Sequence, residues 1–153
     1  MAHSAEEEVA RNFLCFGHPE AVVVVCDATC LERNFNLVLQ TLEISDKVVV
    51  CVNLLDEAKR KHIEIDLKTL SNRLGVPVVG TSARNRKSLL ALTAALDDLI
   101  DGPPQQNSYQ VRYPGVIEEA ISILLPAVAE MAGGRVFPRW VGLKFLDYDD
   151  SFV

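Results

Sequence analysis

A chain of 153 residues with 49% apolar side chains can bury a real core, as one domain or as one domain with a small appendage. Its net charge of -6 offers no basic field, which argues against a nucleic-acid partner or an anionic membrane surface. The longest apolar run, Ala21 to Cys26, is far short of the roughly 20 residues that span a bilayer, and the acidic start MAHSAEEEVAR lacks the marks of a signal peptide.

In chain order, Ser4 and Glu7 have the spacing of a capping box, and Val9, Phe13 and Phe16 share one apolar face of a first helix. AVVVVCDAT follows as a strand buried on both faces. Thr29 and Glu32 make a second capping box, opening a helix whose inner face is Leu31, Phe35, Leu39 and Leu42. KVVVCVN is the second strand. Past a basic, solvated EAKRKH, Asp66 caps a short helix with Leu67, Leu70 and Leu74 inward, and Gly75 with Pro77 ends it. VPVVGTSA is the third strand, its proline near the start, where a missing N–H does least harm. Ser88 then precedes a helix with Leu89, Leu92, Leu96 and Leu99 on one stripe. Strands alternating with helices predict an α/β fold with a parallel sheet.

DGPPQQNS cannot continue a helix, so residues 1–102 are expected to form the α/β part, 103–108 a linker and 109–153 a small all-helical domain. In that tail Pro114 sits at a helix start, and Ile117, Ile121, Leu124, Val128 and Met131 share a face. Pro126 interrupts it and is expected to kink or split the helix. GGRVFPRW separates a last helix containing Trp140, Val141 and Phe145. Cys15, Cys26, Cys30 and Cys51 lack the spacing of a zinc site and read as reduced, buried thiols, and His3, His18 and His62 have no second ligand beside them.

The chemistry lies where strands end, because ligands of open α/β sheets sit at the carboxyl ends of the strands. VVVCVNLLDEAKR stops a buried run at Asn53 and places Asp56 three residues on. Guanine presents two adjacent donors on one edge, and an ionised carboxylate accepts both; adenine lacks that pair and leaves the charge unpartnered. Asn53 can brace neighbouring loops or meet the imidazole edge of the base. One α/β unit later, GTSAR ends the next strand, so that the Ala83 N–H can meet the guanine carbonyl while Ser82 supports Asp56. The competing reading is plain helix capping by Asn53 or Asp56.

SAEEEVARNFL, VVVVCDATCLERNFNLVLQ, VNLLDEAKRKHIEIDLKTLSNRLGVPVVGTSAR, RYPGVIEEAI and PRWVGLKFL together resemble the cytosolic region of the bacterial ferrous iron transport protein B family, over nearly the whole chain. Many GTPases carry Asn-Lys-x-Asp, whereas this family tolerates an apolar residue at the Leu54 position. The resemblance implies part of a P-loop GTPase-like parallel sheet, three strands with flanking helices, followed by a helical domain that restrains nucleotide release. It also implies regulation of Fe(II) uptake through a membrane-embedded portion of the parent, from the cytoplasmic face of the bacterial inner membrane. By the same match Asn53, Leu54, Asp56, Thr81, Ser82 and Ala83 inherit base recognition.

The chain contains no G-x-x-x-x-G-K-[ST] to cradle phosphate; GTSARNRKS ends in Lys87 and Ser88 but lacks the second glycine, and reads as a loop and the cap of the next helix. Asp-x-x-Gly is absent too, and RYPG lacks its acid. The chain is therefore expected to be a fragment without the first half of its GTPase domain, its first three residues being appended. GTP or GDP binding is expected to be weak or absent, with Mg bound alongside nucleotide only in the parent and no GTP hydrolysis by the chain alone. Val22 to Cys26, with no lysine, proline or bulge, is expected to form an open edge through which the chain self-associates. Two other readings stand beside this one. The first is a nucleotide-independent interaction or regulatory module. The second is a receiver-like domain using Asp27 and Thr81, against which count the missing acidic pair and lysine.

Overall fold

The computed structural model describes residues 5–17, 19–82, 84–103, 105, 108–132 and 137–147. Ser4, His3, His18 and Ala83 lie outside them, and with Ser4 goes the first expected capping box. The elements are α1 (Ala5–Phe16), β1 (Val22–Asp27), α2 (Leu31–Ile44), β2 (Val48–Asn53), α3 (Leu55–Arg60), α4 (Leu67–Leu74), β3 (Val78–Gly80), α5 (Arg86–Asp101), α6 (Gly115–Ala132) and α7 (Pro138–Leu146). They group into two compact units, Glu20–Gln110 and Met1–Pro19 with Val111–Val153.

In the first unit the strands run parallel in the order β1-β2-β3. Val22 pairs with Val48 and Asp27 with Asn53, while Val50 pairs with Val78 and Val52 with Gly80, so the three strands end level. β2 is central, and Val48 to Val52 are all buried. Val24, Cys26, Val50 and Val52 face Val38 and Leu42 of α2, with Leu31, Phe35 and Leu39 packed alongside. Each such valine contributes about 1.5–3 kcal/mol on burial.

β1 is an edge. Its register turns Val22 and Ala28 toward β2, their N–H groups donating to Lys47 and Asn53 carbonyls at 2.8 and 2.9 Å. In a parallel ladder the intervening Val23 and Val25 then direct their N–H and C=O groups outward, where no strand pairs among the described residues. Asp27, next in that outward series, has its N–H donated to the Asn34 carboxamide oxygen at 2.8 Å. Val25 is 58% exposed.

The caps divide. Asp66 accepts from the Thr69 N–H at 2.9 Å, and Gly75 ends α4 in the left-handed region at φ 68, as the sequence predicts. The Thr29–Glu32 box does not form. Asp27 takes the Thr29 N–H at 2.7 Å, the donor Glu32 would have accepted, and faces the Thr29 hydroxyl as well; Cys30 is the N-cap of α2 and makes no side-chain capping bond. Asn85, not Ser88, caps α5, accepting from the Lys87 N–H at 3.1 Å. Lys87 and Ser88 lie inside the first turn of that helix. The expected linker 103–108 is pinned at Gln105: its N–H donates to Asp46 at 3.0 Å, and its carboxamide bonds both the N–H and C=O of Val48 in the manner of a one-residue strand.

In the second unit α6 is one helix through Pro126, so no split occurs. Ile121 and Val128 are buried while Met131, from the same expected face, is exposed. Trp140 of α7 is buried, and Pro138 opens that helix. Val9, Phe13 and Phe16 do share a face of α1, but it is exposed; Cys15 of the same helix is buried, and burial pushes its thiol up. A forked ion pair ties the helices: both Arg139 guanidinium ends donate to Glu118, at 2.7 and 2.8 Å, and one also donates to the Val111 carbonyl at 2.9 Å. Glu118 also accepts the Tyr113 N–H at 2.9 Å. No described helix is long and apolar enough to cross a membrane.

Candidate functional site

The level ends of the three parallel strands bring Asp27, Asn53 and Thr81 side by side. Thr81 is the most tightly held. It is 2% exposed; its N–H donates to Val52 at 2.8 Å, and its carbonyl accepts from Leu55 at 3.2 Å. Its hydroxyl donates to the Asn53 Oδ1 at 3.1 Å and lies 3.2 Å from the Cys51 Sγ. Asn53 and Thr81, drawn from successive strand ends, are thus joined directly.

The bond from Leu55 needs an abrupt turn out of β2, and Leu54 supplies it in the left-handed region, at φ 63 and ψ 31. That conformation costs a non-glycine residue about 1–2 kcal/mol, offset here by the Leu55 bond and by two more to the Leu54 carbonyl, from Glu57 and Ala58 at 3.0 Å. Leu55 and Leu67 lie so close to Gly80 that a Cβ there would collide with both. The small residue at the end of β3 therefore lets α3 and α4 settle on the sheet.

Leu54 caps α3 without a side-chain bond, which leaves Asn53 free of the capping role. Asp56 lies in the first turn of α3, where a negative charge is favoured by the helix N-terminus. Its carboxylate is 43% exposed and among the described residues meets only the Arg60 guanidinium, at 3.7 Å, a loose pairing that leaves its oxygens open to another donor pair. No hydrogen bond joins Ser82 to Asp56 among the described residues. Instead Ser82 is held by Ser88: its N–H donates to the Ser88 hydroxyl at 3.1 Å, and that hydroxyl also lies 3.1 Å from the Ser82 carbonyl. Ala83 is outside the described residues.

Asp27 closes the row. The Thr29 N–H, then the Thr29 hydroxyl, hold its carboxyl below the usual carboxylate range, with Cys30 and Lys61 adding to the effect. Its own loop therefore occupies it. The receiver-like reading also asks Thr81 for an available hydroxyl, whereas that group is buried and committed to Asn53. Sequence reasoning missed Cys51, Asn34 and Asn85, and read Ser88 as a helix cap rather than as the residue that holds Ser82. Of the three missed, only Asn85 had a usable signal, as an N-cap residue type directly before a helical pattern.

A parallel sheet with its polar side chains gathered at the carboxyl ends of the strands is the architecture of the doubly wound α/β domains, whose ligands bind there. Comparison with known proteins narrows this. The family model for ferrous iron transport protein B matches residues 1–96. The Fe(2+) transporter FeoB of Salmonella typhimurium is 32% identical over 95% of this chain, and that of Escherichia coli K12 is likewise 32% identical over 95%. The cytosolic domain of the T. maritima FeoB iron transporter in a GDP form is 28% identical over 99% of the chain, with a TM-score of 0.88. The same domain in its GMPPNP form is 30% identical over 97%, with a TM-score of 0.87. The chain belongs to the ferrous iron transport protein B family. It spans 18% of the length of those two curated relatives and 58% of each of those two solved chains.

Proposed function

We propose that the chain is the base-reading part of a guanine-nucleotide-binding regulatory region of a ferrous iron transporter, working at the cytoplasmic face of the bacterial inner membrane beside the membrane-embedded portion of its parent. The observation that carries this reading is the bond between Thr81 and Asn53, which fixes two strand ends into one rim beside the open carboxylate of Asp56. The solved FeoB domains in GDP and GMPPNP forms supply the ligand class. Asp56 reads the paired donors of guanine; Asn53, Leu54, Thr81, Ser82 and Ala83 build the rim around the base. These groups fit a purine edge and offer nothing to a triphosphate, so GTP or GDP binds weakly to this chain and Mg joins only with phosphate-binding elements of the parent. Hydrolysis needs those same elements, and the chain alone does not turn over GTP.

The test is titration of the isotope-labelled chain with GDP and ADP. Shifts at Asn53, Asp56 and Thr81 with GDP alone support base reading, and Asp56→Asn should transfer the preference to xanthosine diphosphate, whose added carbonyl accepts from the new amide. Silence at millimolar GDP favours the second reading, a nucleotide-independent interaction module. The open edge of β1, with Val25 58% exposed, speaks for that reading. The same edge supports self-association as a two-fold dimer, read by light scattering after size exclusion.

A further inference from the structure

We propose that Cys51 is a positioning residue for the base site: its buried thiol donates to Thr81 and thereby fixes which way the Asn53 carboxamide faces. The functional half of this inference rests on the base-reading proposal above; the structural half does not.

The case is a count of hydrogens. Thr81 has one hydroxyl hydrogen, and it goes to the Asn53 Oδ1 at 3.1 Å, an atom that only accepts. The Cys51 Sγ lies 3.2 Å from the same hydroxyl oxygen, within bonding range for sulfur. With the hydroxyl hydrogen already committed, the thiol is the donor. The three groups form a one-way relay, S–H to O–H to C=O. Its thiol end is shielded, since Cys51 and Thr81 are 4% and 2% exposed, so no water is at hand to replace the thiol hydrogen if it is removed.

The register explains why the three groups meet. Cys51 and Asn53 are two residues apart on β2 and project from the same face, opposite the face on which Val50 and Val52 join the core cluster. Cys51 pairs with Val79, so Thr81, two residues on, comes level with Asn53 and diagonal to Cys51. The Thr81 hydroxyl thus sits between them. With its oxygen drawn inward by Thr81, Asn53 turns its NH2 outward to donate. A valine at position 51 would fill similar space and leave the Thr81 hydroxyl free to rotate off Asn53.

The experiment uses the 153-residue chain without nucleotide first. The Cys51 S–H stretch in the infrared, assigned by its loss in Cys51→Val, should sit at a lower wavenumber than a free thiol and move up in Thr81→Val. In NMR, the Asn53 side-chain NH2 signals should move in Cys51→Val and in Thr81→Val, stay near wild type in Cys51→Ser, and move no further in the double variant than in Thr81→Val. An unmoved S–H stretch in Thr81→Val, or equal displacement of Asn53 by serine and valine at position 51, would overturn the relay. GDP titration then reads the functional half: Cys51→Val should bind about two- to ten-fold more weakly, the worth of one neutral hydrogen bond, with recovery in Cys51→Ser. Unchanged affinity sinks that half. Failure of wild type to bind GDP at all sinks the base-reading proposal while the two spectra still decide the relay.

Discussion

The two units of this chain are held by different forces. In Glu20–Gln110 the valines of β2 vanish under helices, and the polar residues buried with them are few, Thr41 in α2 and Thr81 at a strand end. In the helical unit Val9, Phe13, Val116 and Ile123 stand in solvent, while a fork of charged bonds between Arg139 and Glu118 ties α6 to α7. Similar apolar content therefore does different work: burial against a sheet is non-directional and insensitive to pH, whereas a carboxylate clamp depends on its proton.

The sharpest way to probe the contrast is Val50→Ala at the centre of β2, 1% exposed, which should cost about 2–3 kcal/mol in urea unfolding. A value under about 1 kcal/mol would mean that the sheet unit is not held by its valines. Gly80→Ala comes next, at about 1–3 kcal/mol, because the added methyl meets Leu55 and Leu67. In the helical unit the expected effect is one of pH. Hydrogen bonds from Arg139 first, then the Tyr113 N–H, hold Glu118 down to about 2 from an ordinary 4.5. Its folded value lies below the unfolded one, so the clamp contributes fully above about pH 4.5 and fades as pH falls toward 2. Trp140, the only tryptophan, lies beside Arg139 in α7 and reports the loss by fluorescence. Glu118→Gln should flatten that pH dependence while leaving the cost of Val50→Ala unchanged. The smallest stability change belongs to Val25→Lys on the open edge, within about 0.5 kcal/mol, yet by blunting that edge it should abolish any dimer seen by light scattering.

What the sequence revealed and what it hid follow the same division. Valine-rich runs marked three strands, and Asn53, Asp56 and Thr81 stood out as candidates because polar residues follow those runs where strands end. The exposure of Phe13 and Phe16 could not be read, since periodicity tells which residues share a face but not what covers it. The Thr29–Glu32 box failed because Asp27, two residues back, takes the Thr29 N–H that Glu32 would have accepted, a contest between neighbours that spacing rules ignore. Ser88 and Asn85 are both good capping types, and three-dimensional loop geometry alone chose between them. Cys51 was invisible for a simpler reason: inside a valine run a thiol counts as apolar, and its one hydrogen matters only when a hydroxyl stands opposite.

The grip of Ser88 on Ser82 makes one amide a clock for a helix end. The Ser82 N–H has as its partner a hydroxyl carried on the first turn of α5, not a carbonyl of the sheet. Its hydrogen can exchange with solvent whenever that turn frays, even while β2 and β3 stay paired. Its exchange rate should therefore follow the opening of α5 rather than global unfolding, and outrun that of the Thr81 N–H next to it, which is bonded to Val52 in the sheet. Two consecutive residues thus keep time for two different parts of the molecule.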